Sequence, residues 1–359
     1  MKVIPPEETH YPPQPDGKRP DMSEHDNWLA QVQEKTLEPD LPIIDPHHHL
    51  WHFIRPESEH RYLLEDLLKD TGSGHNIVKT VFVECSAMWR AGGSEEMKVV
   101  GETEFVNGIA AMSASGTYGD TRVAAGIVGT ANLNVGARIG EVLDEHLKVG
   151  GDRFRGIRYL ATHDPHPDVR NGYTEPAADM LSSAAFREGY AELGKRNLSF
   201  EGWCFHRQIP QLTDLARAFP DTIMILDHFG GPIGIGPYAD KREEVFEEWK
   251  KNIAELATCE NVVAKLGGIN MTVNGFNWHK HPKPPTSEEL CEATRRYFEH
   301  TLEHFGVDRC LFESNFPVDS VSCSYNVLWN SFKRLTANYS ADDKAKLYHD
   351  NSARVYRLS

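Results

Sequence analysis

From about residue 42 onward, short runs of β-branched and aromatic residues alternate with longer stretches whose apolar positions recur every three to four residues. The first pattern predicts strands and the second amphipathic helices. Strands are expected over 42–45, 80–84, 123–128, 154–158, 198–205, 222–227, 262–265 and 309–312. Helices are expected over 102–113, 139–147, 184–195, 209–218, 243–257 and 287–305, with a last one over 341–356. Strand-helix alternation implies a parallel sheet, and eight such units imply a closed (β/α)8 TIM barrel over 41–359. The preceding segment, 1–40, differs in character. Pro5, Pro6, Pro12, Pro13 and Pro15 oppose helix there, and Ser23 could cap one short helix over 23–35. This N-terminal extension is either a poorly ordered tail or an arm that packs on the barrel or on a neighbouring subunit.

A barrel of this kind carries its chemistry at the C-terminal ends of its strands. Four long loops, 50–76, 86–101, 160–183 and 267–287, would share that face and cover a pocket. Asn274, Asn277, Trp278, His279 and His281 would contribute to a lid, and Trp51, Trp89 and Trp203 are candidates for its walls.

The polar residues that close the predicted strands are the candidate site. Asp45-Pro46-His47-His48-His49 ends the first strand, and strict alternation would put Ile43, Asp45, His47 and His49 on one face and His48 on the other. Glu84, Arg158, Glu201 with His206, His228, Lys265 and Glu313 with Asn315 end six others. Neutral imidazoles suit zinc and similar ions, and three protein ligands plus water make an open catalytic site. His47, His49 and His206 are the candidate metal set. Arg158 and Lys265 suit a carboxylate or an oxyanion. Glu84 and His206 join them as candidate substrate contacts. His228 would polarise a carbonyl or position water, and Asp227 is expected to face away from it.

Five segments together resemble the amidohydrolase superfamily, in the branch of 2-pyrone-4,6-dicarboxylate lactonase and the sugar-acid and muconolactone lactonases. They are Asp45 to Trp51, Gly156-Ile157-Arg158, Gln208 to Pro210 with the run after it, Leu226 to Pro232, and Phe312 to Val318. The resemblance implies that His47, His49 and His228 surround a reacting carbonyl. It also implies a strand-8 aspartate as general base, and here that position holds Asn315. An amide takes no proton at neutral pH. The base is then Glu313, Asp319, Glu84 or Glu201, or a metal activates water alone, or no such base is used. The family divides over metal, so one divalent ion (zinc or manganese) and metal-free catalysis are both open.

Composition narrows the partners. With 359 residues, 40% hydrophobic, 25% charged and a net charge of -15, nucleic acid and anionic membrane are disfavoured. The six cysteines are scattered without a C-x-x-C pair, which argues against a thiolate metal cluster. No secretory leader or transmembrane stretch is legible, so a cytoplasmic protein is expected. The expected partner is a small-molecule substrate, with homo-oligomerisation by analogy. The leading expectation is a hydrolase that opens a small carboxylated or polyhydroxylated lactone. The rivals are a metal-dependent decarboxylase or hydratase of a small unsaturated or aromatic acid, and a non-catalytic binding protein on a decayed barrel.

Overall fold

The computed structural model describes residues 22–55 and 58–358, so residues 1–21 of the expected extension lie outside the described residues. The barrel strands are β1 (Pro42–His48), β2 (Asn76–Val83), β3 (Arg122–Gly129), β4 (Phe154–Arg158), β5 (Ser199–Gly202), β6 (Met224–Leu226), β7 (Val262–Leu266) and β8 (Cys310–Phe312). Each pairs in parallel with the next. The β8–β1 seam closes beyond the regular ladder, through a parallel bridge between His48 and Phe316. There the Asn315 amide donates to the His47 carbonyl at 2.9 Å and the His49 amide to the Phe316 carbonyl at 2.8 Å. The barrel is therefore stitched shut by candidate site residues.

Each strand is followed by a helix: α1 (Leu64–Thr71), α2 (Val100–Ala114), α3 (Gly140–Gly150), α4 (Ala184–Gly194), α5 (Ile209–Ala218), α6 (Arg242–Leu256), α7 (Ser287–Phe305) and α8 (Tyr325–Leu335). Local chemistry sets their starts. Thr286 and Glu289 form a reciprocal capping box on α7, Ser183 and Ser324 cap α4 and α8, and Pro210 sits in the first turn of α5. α1 and α8 were not expected. α8 is rich in aromatic, Asn and Ser residues with weak intrinsic preference for helix, and burial of Val327, Leu328, Trp329 and Phe332 overrides it. A hairpin, Trp51–Arg55 with Ser58–Tyr62, occupies the first long loop. The expected last helix is divided into Ala341–Ala345, a wider turn Lys346–Asp350, and Asn351–Val355.

Residues before β1 are strapped to the barrel wall. Met22–Leu29 is helical. Further on, the Glu34 carboxylate accepts from the Ser287 amide at 2.7 Å, and Lys333 Nζ donates to the carbonyls of Leu37 and Glu38 at 2.8 Å. No described helix is long and apolar enough to cross a membrane.

The core has two parts. A large one lies between strands and helices. A smaller one joins Ile44, Val81, Val83, Val128, Ile225, Val263 and Leu311 to Val355, Tyr356 and Leu358, so the C-terminal segment plugs the barrel. Ile44, not Ile43, belongs to this inner cluster. The ladder is irregular between Asp45 and His48, where Pro46 donates no hydrogen bond. That irregularity corrects the expected alternation: Asp45 leaves the face of His47. Its carboxylate accepts from Ser314 Oγ at 2.6 Å, Tyr325 Oη at 2.9 Å and the Ser314 amide at 3.0 Å. Asp45→Ala would strand these donors, at a cost of about 2–4 kcal/mol, with the site seam loosened. Urea unfolding followed by far-UV circular dichroism measures it, and an unchanged midpoint would contradict this account.

Candidate active site

At the ends of several strands an inward apolar residue is followed two positions later by an ionisable one: Val263 and Lys265, Ile225 and Asp227, Leu311 and Glu313. The pleat puts such pairs on one face, so a charged layer lies directly on the apolar plug. Lys265 is its centre. Its Nζ lies 2.5 Å from Glu201 Oε2, 2.9 Å from His47 Nδ1 and 3.3 Å from Asp227 Oδ1. Arg158 donates through Nε to Glu84 Oε1 at 2.9 Å and through Nη2 to the Glu84 carbonyl, and its Nη1 lies 3.3 Å from His47 Nε2. Two tyrosines complete the layer. Tyr173 Oη donates to Glu84 Oε2 and Tyr356 Oη to Glu201 Oε1, each at 2.5 Å.

Charge states follow from these contacts. Burial and the neighbouring Lys265 push the His47 imidazole well down, so it is neutral. Burial pushes the Glu201 carboxyl up to about 8 against the pull of Lys265. Burial would also raise Asp227, but Lys265, His228 and Arg158 outweigh it and hold the carboxyl below its usual value. For Lys265, burial favours the neutral amine, but Asp227, Glu201 and Glu313 keep it charged.

Glu313 links this layer to the pocket above. Its Oε1 accepts from His228 Nδ1 at 2.6 Å, and its Oε2 lies 2.9 Å from His47 Nδ1. With Nδ1 bound, the Nε2 edge of His228 is the one left to the pocket that this residue lines. His228 has φ 51° and Asn315 φ 55°, both in the left-handed region that strains residues bearing a Cβ. Gly268, at φ 66°, makes room: a Cβ there would lie 2.1 Å from His228 Nδ1. His49 Nδ1 donates to the Val83 carbonyl at 2.8 Å and faces Asn315 with Nε2 at 3.3 Å. Asn315 in turn contacts Asp319 at 3.1 Å. Burial and the nearby Glu313 push Asp319 up to about 8. The Asn315 amide nitrogen donates to Asp319 Oδ1, and the amide oxygen is the atom that faces His49 Nε2.

The pocket is a cavity of about 130 Å³. His49, Arg158, His228 and Asn315 lie at its polar end, and Trp51, Tyr173, Trp203 and Phe205 supply walls. Trp203 meets His228 edge-on at 4.7 Å. Three expected substrate contacts are not among its lining residues. Glu84 and Lys265 lie beneath, consumed by the charged layer. His206 opens the turn into α5, where it packs edge-on against Tyr238 at 5.7 Å and burial pushes it down to about 4. It is not brought together with His47 and His49 as a ligand group among the described residues. β5 ends at Gly202, three residues earlier than expected, and the turn carries His206 aside. The loop contributions are narrower than expected, with 271–273 reaching the cavity while Trp89 and Asn274 do not. Asp227 and the tyrosines Tyr173 and Tyr356 were missed; the i, i+2 pairing with Ile225 was the available signal for Asp227.

One buried group, His47, Asp227 and His228, has ligand atoms within 4.8 Å of one another, and both Asp227 oxygens lack a hydrogen bond. These features favour an ion. The occupancy of the same atoms by Lys265 opposes it. A divalent ion among them would lie roughly 3 Å from the ammonium, a repulsion on the order of 10 kcal/mol even at an effective dielectric of about 20. The residues as arranged do not fit a resident divalent metal.

The sequence profile of the amidohydrolase family matches residues 44–358. Protein y4mH of Sinorhizobium fredii is 33% identical over 338 residues, which are 89% of this chain and 99% of that one. The L-fucono-1,5-lactonase of Burkholderia multivorans is 24% identical over 240 residues, 67% of this chain and 73% of that enzyme. A zinc-bound amidohydrolase structure from Burkholderia multivorans superposes with a TM-score of 0.68 at 22% identity, over 88% of this chain and 99% of that one. That likeness shows the fold.

The proton on Asp319 gives a thermodynamic test. A carboxyl that ionises near 4 unfolded and at about 8 folded adds stability that is complete below pH ~4 and lost as pH rises to ~8. Asp319→Asn removes that term. Thermal unfolding across pH 5 to 8 should fall less steeply in the variant than in the parent, whereas parallel curves would place the proton elsewhere.

Proposed function

From the premise that this chain belongs to the amidohydrolase family, in its lactonase-containing branch, and is a hydrolase, we propose that it opens a small lactone by water attack in the pocket above Glu313 and His228. The observation that carries the proposal is the 2.6 Å bond between His228 Nδ1 and Glu313 Oε1. A carboxylate that holds one imidazole nitrogen fixes the tautomer and makes the other a base. This pair does the work that the family assigns to the carboxylate at the position of Asn315.

The steps follow. Water is held between His228 Nε2 and the amide of Asn315. As its oxygen attacks the lactone carbonyl, Nε2 takes the proton and Glu313 stabilises the resulting imidazolium. The developing oxyanion is met by Arg158. Two of its five N–H groups serve Glu84, which leaves three on Nη1 and Nη2 at the pocket that Arg158 lines. When the ring C–O bond breaks, His228 returns the proton to the leaving oxygen, and the product is an open hydroxy acid. Glu84 positions Arg158, and Lys265 positions His47 and Glu201; neither touches the substrate.

The cavity volume suits a single five- or six-membered ring. An engineered protein cavity of about 150 Å³ holds benzene. Trp51 and Trp203 would cover the ring faces, while Thr162, Asn171 and Thr272 offer hydrogen bonds to hydroxyl or carboxylate substituents. The fucono-lactonase relative acts on a ring of this size, which supports the reading.

The test is a panel of monocyclic lactones followed by acid release. His228→Gln should lower kcat by ~10²–10⁴-fold. Glu313→Gln should lower it by at least about tenfold, because the imidazolium formed as water attacks loses its counter-charge. Unchanged turnover in His228→Gln would overturn the mechanism, and no turnover of any lactone by the parent would overturn the proposed function.

A further inference from the structure

We infer that the Lys265 ammonium stands in the place of a catalytic divalent ion and that this barrel works with no resident metal. The inference begins with the one buried group that could hold an ion, His47, Asp227 and His228. Each member is already committed. Lys265 Nζ meets His47 Nδ1 at 2.9 Å and Asp227 Oδ1 at 3.3 Å, and Glu313 holds His228 Nδ1 at 2.6 Å. An ammonium has three N–H groups. With a hydrogen bond to Glu201 Oε2 at 2.5 Å beside the one to His47, and Asp227 as an ion-pair partner, Lys265 is held as a tripod, and none of it is exposed. The flexible four-carbon stem of a lysine normally lets such a charge leave for water. Here it cannot, since it rises near the C-terminal end of β7 into a layer closed by Tyr356 beneath and His47 beside it.

The tasks an ion would perform are already divided among side chains. A metal fixes the strand-1 imidazole, and Lys265 does so at His47. It gathers carboxylates that would otherwise repel, and Lys265 gathers Glu201, Asp227 and Glu313, the last at 3.8 Å. It presents positive charge to the carbonyl, and Arg158 does this at the pocket floor. The pocket-facing position on the last strand also carries Asn315, whose amide is a poor ligand, and His49 is held through Nδ1 by the Val83 carbonyl. The inference concerns the source of positive charge, so its metal readout is independent of which lactone, if any, is turned over.

The experiment measures zinc in the whole protein. A second, surface group, His300, Glu303 and His304 on α7, could bind zinc by itself and is removed first with His304→Ala. After chelation and buffer exchange, this parent is titrated with zinc by calorimetry and its metal content measured by elemental analysis. Expected are less than about a tenth of an equivalent of bound zinc and turnover within about twofold of the unchelated protein. About one equivalent retained through gel filtration, or turnover abolished by chelation and restored by zinc, would overturn the inference. Lys265→Met in the same background empties the tripod and should take up about one zinc equivalent. A folded Lys265→Met protein that binds no zinc would overturn the placement of Lys265 in the ion's position. If that variant fails to fold, the parent titration decides alone.

Discussion

The interaction on which the rest depends is the buried contact of two cations, Lys265 and Arg158, with the carboxylates Glu84, Glu201, Asp227 and Glu313 around a neutral His47. Removing such charges from water costs several kcal/mol each, and only close pairing offsets it. The fold supplies that pairing by raising every member to one level on the same side of the barrel. The tyrosines complete it from two distant places, Tyr173 from the loop after β4 and Tyr356 from the C-terminal segment. A layer so interlocked tolerates little change. It holds His47 and Glu313 in position, and these orient the residues that face the pocket.

Strain is concentrated at the step from the charged layer to the pocket. His228 and Asn315 both leave their strands with positive φ, a conformation that the surroundings must enforce. For His228 the surroundings are Glu313 on one side and the missing side chain of Gly268 on the other. For Asn315 they are the backbone bond to His47 across the barrel seam and the contact with Asp319. The polar end of the pocket is thereby built on hydrogen-bonded backbone, while its walls come from loops. In the proposed reaction the chemistry falls to the backbone-anchored end and ring recognition to the loop-borne walls.

Asn315 stands between two buried carboxyls of the same strand end. Glu313 lies two residues before and Asp319 four residues after, and they do different work. Glu313 accepts from His228 Nδ1 and so fixes which edge of the ring faces the pocket. Asp319 sits in full burial, keeps its proton to about pH 8 and accepts from the Asn315 amide nitrogen, which leaves the amide oxygen facing His49. In the proposed reaction the base is the Glu313–His228 pair and Asn315 is a positioning amide.

Strand-helix alternation and the ends of the strands were legible because they follow from local rules. Val262-Val263-Ala264-Lys265 and Met224-Ile225-Leu226-Asp227-His228 announce buried strands with ionisable ends in any context. The sequence by itself therefore determined the barrel, the strand assignments of His47, His49, Arg158, His228, Lys265 and Asn315, and the fact that they share one end. It did not determine which of them meet a substrate. His206 and Lys265 look equivalent as polar strand ends, yet one turns aside after Gly202 and the other is locked under the pocket. The break at Pro46 that sends Asp45 outward, the α8 helix formed against propensity, and the Glu313–His228 bond all depend on residues far apart in the chain. Their distances exist only once the barrel has closed, and tertiary structure alone decided them.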